Sequence, residues 1–61
     1  MKYIIKQYDD CYFKDTFEVQ GTIIMVNFTN VKNEAKIFDD YDEAIKTLNR
    51  IKCQNANVEE I

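Results

Sequence analysis

The chain has 61 residues, two cysteines, a single glycine, no histidine and a net charge of −3. This length has room for one hydrophobic core, and the absence of histidine and of a Cys-x-x-Cys pair excludes an ordinary structural zinc site. No run approaches the roughly 20 apolar residues that a membrane-spanning helix needs. The excess of acids disfavours direct binding of DNA or RNA, which requires clustered Lys and Arg.

The first part of the chain predicts a β-hairpin. β-branched and aromatic residues dominate 2–8, and Asp9-Asp10 then favours a turn. In 11–19, apolar residues such as Phe13 and Phe17 alternate with polar ones, which is typical of a half-buried strand. We therefore expect these two runs to pair.

Two more strands are predicted beyond the hairpin. Gly21 is the only glycine, and its place between two strand patterns predicts a turn with positive φ. Residues 22–29 form the most apolar run and suit a central strand, because both of their faces carry β-branched residues. Residues 35–38 predict a short strand that stops at the acids that follow.

One helix is predicted after residue 40. Asp40 is the expected N-cap and Glu43 its partner in a reciprocal capping box. Apolar residues then recur with helical spacing on one stripe: Tyr41, Ala44, Ile45, Leu48 and Ile51. Residues 54–61 are polar and charged, and we expect them to be a frayed tail.

These elements predict an α+β fold: a three- to four-stranded, mostly antiparallel sheet with one C-terminal amphipathic helix packed on one face. We expect a single domain over 1–53 and a polar C-terminal tail over 54–61. Nothing at the start is typical of a secretory signal, so we expect a cytoplasmic protein with both thiols reduced.

Catalytic chemistry has little support in the residue types. The chain has neither histidine nor serine, so no nucleophile has the usual base within reach. One isolated glycine cannot form a phosphate-binding loop. We therefore expect no enzymatic activity and no cofactor.

Candidate binding residues fall into two sets. The acids at the predicted helix start have three interpretations: helix capping with a solvated first turn, a partner-facing acidic patch, or a Ca²⁺ or Mg²⁺ site. The ordered calcium-loop motif is missing, so we expect no metal. The aromatics near the first turn are candidates because one sheet face must stay uncovered by the single helix. The partner-binding candidates are Asp39, Asp40, Asp42, Glu43, Tyr8 and Tyr12.

The chain also resembles a group of small proteins. The opening Met-Lys-Tyr-Ile-Ile-Lys, Tyr12-Phe13 and the run Ala35-Lys36-Ile37-Phe38 followed by Asp-Tyr-Asp-Glu-Ala-Ile are similar to small uncharacterised proteins of bacteriophages and mobile elements of low-GC Gram-positive bacteria. The resemblance implies an accessory protein that binds and redirects a host protein in the host cytoplasm.

The leading hypothesis is accordingly a non-catalytic protein-binding module or inhibitor that acts on a host protein through the acidic helix start or the open sheet face. One alternative is a homo-oligomer, for example a homodimer, that buries the open face against its own copy. A second alternative is a nucleic-acid binder that uses the sheet and its lysines, namely Lys2, Lys6, Lys14, Lys32 and Lys36.

Overall fold

Four antiparallel strands and one helix form the fold in the computed structural model, which describes residues 1–61. The elements are β1 (Tyr3–Gln7), β2 (Cys11–Val19), β3 (Thr22–Thr29), a 3-10 turn (Lys32–Glu34), α1 (Tyr41–Ile51) and β4 (Ala56–Glu60). The sheet order is β3-β2-β1-β4, and every neighbouring pair is antiparallel. The predicted α+β fold is confirmed. The helix is neither long nor apolar enough to cross a membrane.

The turn at the glycine is a two-residue hairpin loop. Gln20 and Gly21 have φ values of 50° and 80°, and they join the paired residues Val19 and Thr22. Positive φ at both central positions is the type I′ geometry that matches the twist of paired strands. The predicted positive φ at Gly21 is therefore confirmed.

Strand β3 lies at a sheet edge, so the prediction of a central strand is wrong. Residues 35–38, the segment expected to form a further strand, do not form one. Their extended backbone makes a single bridge, in which the N–H groups of Tyr3 and Phe38 donate to each other's carbonyl oxygens at 2.9 and 2.8 Å. The pairing stops there because the chain must enter the helix at residue 41.

The predicted tail is also wrong, because most of it forms strand β4. Ala56 to Glu60 pair with all five residues of β1, from Gln7 back to Tyr3. The half-buried Ala56 and Val58 alternate with more exposed polar residues. The polar composition that suggested fraying is what an edge strand with one covered face requires.

Helix α1 begins and ends close to the predicted residues. Asp40 is the N-cap as predicted, but its Oδ1 accepts from the N–H of Asp42 at 3.1 Å rather than from Glu43. The reciprocal capping box is therefore not formed, and the Glu43 carboxylate lies 3.9 Å from the Lys46 ammonium instead. Lys52 ends the helix with φ 52°, and its N–H donates to the Leu48 carbonyl at 3.3 Å.

The core lies between the helix and one sheet face. Its buried members come from β1, β2, the 35–38 segment and α1, and they are Ile5, Phe13, Phe38, Ala44 and Ile51. Tyr3 also packs against this cluster, so the Tyr3 and Ile5 side of β1 faces the helix. Residues of opposite alternation, such as Ile4, Lys6 and Tyr12, therefore lie on the other sheet face, where Ile4 is nevertheless fully buried.

Candidate functional site

The acids at the helix start serve the protein's own fold. Asp39 accepts a hydrogen bond from the Lys2 ammonium, and this bond, with the charge of Lys2, holds the pKa of Asp39 below its usual range. Asp40 caps the helix and Glu43 lies near Lys46. All four acids are exposed, but of these only Asp42 has a side chain with no polar contact inside the chain. These contacts match the interpretation as helix capping with a solvated first turn.

The two candidate tyrosines do not share a surface with those acids. Tyr8 is 61% exposed in the turn after β1, where its φ is 60° and its hydroxyl lies 3.5 Å from Nδ2 of Asn55. Tyr12 is half-buried next to that turn, opposite Lys6. The acids follow Phe38, which pairs with Tyr3 at the other end of β1. The predicted set is therefore split between the two ends of that strand.

Two β-bulges change which side chains the hairpin of β2 and β3 exposes. Phe13 pairs with Phe28, but Asp15 pairs with the next residue, Asn27, so Lys14 is an extra residue in β2. This bulge reverses the alternation, and Phe17 points away from the helix although Phe13 points toward it. Phe13 is 2% exposed and Phe17 is 57% exposed.

The reversed alternation produces an apolar patch on the helix-free side of the hairpin. Phe17 pairs directly with Met25, Val19 follows on the same face, and Ile24 is the extra residue of the second bulge. We call these four residues the hairpin patch: Phe17, Val19, Ile24 and Met25. Each is between 47% and 60% exposed. The sequence pattern does not indicate this patch, because a regular alternation places Phe17 in the core beside Phe13.

A cleft lies on the other side of the same hairpin, between β2 and the C-terminal half of α1. Its volume is about 530 Å³. Its apolar wall is formed by Phe13, Ile23, Ile37 and Ile51, and its polar lining by Lys14, Asp15, Thr16, Glu18, Lys36, Thr47 and Arg50. We refer to this space as the helix-side cleft.

An ion pair joins the hairpin to the helix at the helix-side cleft. Arg50 Nη2 donates to Glu18 Oε1 at 2.9 Å, and Thr16 Oγ1 donates to Glu18 Oε2 at 3.1 Å. The hydrogen bond from Arg50, followed by that from Thr16, lowers the pKa of Glu18 below its usual range. Glu18 is therefore ionised and already paired at neutral pH.

The cysteines form no disulfide in this structure. Cys11 and Cys53 are both free and half-buried, and the Cys53 thiol lies 3.6 Å from the Ile51 carbonyl oxygen. No cluster of three or more His, Cys, Asp or Glu side chains is arranged to hold a metal ion. What the geometry offers is surface for binding, on the two sides of the hairpin.

Comparison with known proteins adds no relative. No family model, no curated protein and no solved structure matches the chain. Function can therefore be inferred only from the geometry of the chain itself, above all from the hairpin patch.

Proposed function

We propose that this chain is a non-catalytic protein-binding module that inhibits or redirects a partner protein through the hairpin patch. The observation that carries the proposal is a group of four half-exposed apolar side chains on the hairpin, of which Phe17, Val19 and Met25 share the face away from the core. The exposed area is roughly 400 Å², a size at which the largest apolar patch of a monomer is often a binding surface. The resemblance to phage and mobile-element proteins adds that the partner is a host protein.

The patch suits a different protein better than a second copy. The patch alone would bury roughly 800 Å² in total, below the roughly 1,200 Å² at which stable specific interfaces begin, so any partner must also contact the surrounding surface. Each copy also carries a net charge of −3, which opposes their approach. A larger partner can cover the patch together with its polar surroundings.

A protein partner also suits the charge arrangement better than a nucleic acid. Lys2 is paired with Asp39, and the Lys6 ammonium lies 3.8 Å from the Glu59 carboxylate on the open face. Phosphate binding would have to displace both acids before these two of the five lysines became available, and the chain as a whole carries a net charge of −3.

The experiment compares capture by the wild-type chain with capture by two matched variants. Phe17→Ser with Met25→Ser removes the paired centre of the patch, and Val31→Ser removes an apolar side chain that is 45% exposed outside it. We expect lysate from a low-GC Gram-positive host to supply a stoichiometric partner whose affinity falls about tenfold or more with the patch variant only. Circular dichroism checks that each variant is folded.

Three results would overturn the proposal. The first is equal capture by the patch variant and the wild type. The second is loss of capture on charge reversal of Asp39, Asp40, Asp42 and Glu43 in a chain that circular dichroism shows to be folded and whose patch is intact, which would assign binding to the helix start. The third is a dimeric mass at micromolar concentration that the patch variant converts to a monomer, which would assign the patch to a second copy.

A further inference from the structure

We infer that the free edge of strand β3 binds an extended segment of the partner protein, which pairs with β3 as a fifth strand of the sheet. The inference rests on the proposed function, because it states how the partner engages the chain beside the hairpin patch. Three features of β3 carry it: unpaired backbone groups, an uncharged sequence and continuity with the patch.

The first feature is a set of backbone groups that no other segment reaches. β3 pairs only with β2, and none of the backbone hydrogen bonds outside the helix and the strand ladders involves residues 22–29. The Phe13 carbonyl accepts from the N–H of Lys36, whose segment bridges to β1, so this carbonyl points away from β3. Phe28, directly opposite Phe13, therefore points its own N–H and C=O away from β2, and Val26 does the same by alternation.

The second feature is that the sequence of β3 does not protect its edge. Its eight residues, Thr22–Thr29, include no charge and no proline, whereas β4 at the opposite edge contains Glu59 and Glu60. Charged residues and proline are common means by which edge strands avoid further pairing. The bulge at Ile24 interrupts the edge close to the turn, but residues 25–29 have no extra residue against β2. This regular run is open to another strand.

The third feature is that the edge adjoins the hairpin patch. Ile24 and Met25 belong both to β3 and to the patch, so a protein that covers the patch also lies beside the free edge. The patch alone is too small for a stable interface. An added strand supplies the missing contacts as main-chain hydrogen bonds, which is a recurring way in which proteins bind extended segments.

A segment of a different protein fits this edge better than a second copy. Two copies paired through β3 would leave both hairpin patches uncovered and place them side by side, which would expose roughly 800 Å² of apolar surface. The net charge of −3 on each copy also opposes their approach. A larger protein can pair one of its segments with the edge while its remaining surface covers the patch.

The side chains of β3 specify the chemistry of the added segment. On one sheet face, an added strand meets the half-buried Val26 and Phe28, which pack against the core cluster. On the other face it meets Met25, which is exposed. None of these neighbours carries a charge that could pair with one on the segment, so we expect an uncharged run of β-branched and aromatic residues.

The test uses a synthetic strand and a counterpart that has no backbone donors. The probe is a capped peptide of alternating valine and threonine with one lysine at each end. Its counterpart is N-methylated at every valine and threonine, so the two peptides share their side chains and charge. We expect the probe to bind the folded wild-type chain at about 1 mM or below, and N-methylation to weaken binding about tenfold or more.

Amide hydrogen exchange measured by NMR locates the added strand without any substitution. In the free chain, the N–H groups of Val26 and Phe28 should exchange faster than that of Asn27 between them, which points to β2. A saturating concentration of the probe should slow exchange at Val26 and Phe28 about tenfold or more. Exchange at Asn27 should stay within about twofold.

Two substitutions at one position separate the backbone from the side chain. Val26→Pro removes the edge donor, whereas Val26→Ala shortens the same side chain and keeps the donor. We expect proline to weaken the probe about fivefold or more relative to alanine, and to weaken capture of the stoichiometric host partner by a similar factor. Phe17→Ser alters the patch on β2 without changing the edge and should leave the probe within about twofold. Circular dichroism checks that each variant is folded.

Four results would overturn the inference. Two come from the probe: unchanged exchange at Val26 and Phe28, or equal binding of the N-methylated counterpart. The third is a partner that is lost with the patch variant but captured equally by folded Val26→Pro and Val26→Ala, which leaves the proposed function intact. The fourth is a dimeric mass with slow exchange at Val26 and Phe28 in the absence of the probe, which would assign the edge to a second copy. Conversely, loss of the partner with Val26→Pro and equal capture by the patch variant would refute the proposed role of the patch and support the edge.

Discussion

Replacing Val58 by alanine tests whether the C-terminal residues form a strand that the core needs. Val58 lies directly opposite the fully buried Ile5 and packs against the core cluster. Two methyl groups are worth about 1.6 kcal/mol when completely buried, so a half-buried valine should cost about 1 kcal/mol on truncation. The stability of 61 residues is about 3–9 kcal/mol, so this loss is a measurable share of it.

The assay is urea unfolding followed by circular dichroism, with a thermal melt as a second measurement. A loss of about 1 kcal/mol should lower the midpoint of the melt by about 4–8 °C. Val58→Asp should cost about 3 kcal/mol, because it also brings a carboxylate against the apolar core. Asn57→Asp makes the same change in charge at the neighbouring exposed position and should cost less than about 0.5 kcal/mol. Equal effects of the two aspartate substitutions would refute the packing of β4 against the core.

Further predictions concern the helix start, the hairpin turn and the ion pair. Asp40→Ala should lower the free energy of unfolding by about 1 kcal/mol, because it removes the helix cap. Glu43→Gln should change it by less than about 0.5 kcal/mol, because Glu43 forms no reciprocal capping bond. Similar losses for the two variants in urea unfolding would contradict this assignment of the cap. Gly21→Ala should lower the free energy of unfolding by about 1 kcal/mol, because alanine disfavours the positive φ at this position. An added Cβ meets no atom within 4 Å, so the backbone angle is the only cause of the loss. An unchanged urea midpoint would contradict this explanation. The hydrogen bond from Arg50 lowers the pKa of Glu18 in the folded chain. The ion pair therefore stabilises the folded chain fully above the ordinary glutamate pKa of about 4.3, and this stabilisation is lost as the pH falls through the lowered pKa. Glu18→Gln should therefore flatten the dependence of the urea midpoint on pH in the acid range, and an unchanged slope would show that the pair does not contribute.

The elements predicted correctly from the sequence are those that local patterns specify. The turn at Gly21 needs only a residue that tolerates positive φ, and the cap at Asp40 needs only an acceptor beside the first helical N–H groups. The helical spacing of apolar residues likewise identifies the stripe that contains Ala44 and Ile51. Each of these signals lies within a few residues of the structure that it produces.

The candidate site depends on pairing between distant residues, which local patterns do not report. Phe17 and Phe13 look equivalent in the sequence, and only the bulge at Lys14, formed against β3, turns Phe17 outward. The Lys36 N–H donates to the Phe13 carbonyl, so the position of the segment before the helix also depends on a distant strand. A one-residue shift in strand register moves every following side chain to the other face, so a small error in pairing changes the whole surface.

The sequence by itself determined the class of the fold, the position of the helix and the turn at the glycine, because hydrophobic period, capping and backbone freedom act locally. Only the tertiary structure decided that residues 56–60 complete the sheet, that β3 is an edge strand and that Phe17 is exposed on the hairpin. The physical reason is that strand partners are chosen by competition for backbone hydrogen bonds and core contacts over the whole chain. The polar segment Ala56–Glu60 pairs with β1 because of the hydrogen bonds and core contacts that it forms there, and its own composition does not indicate this pairing.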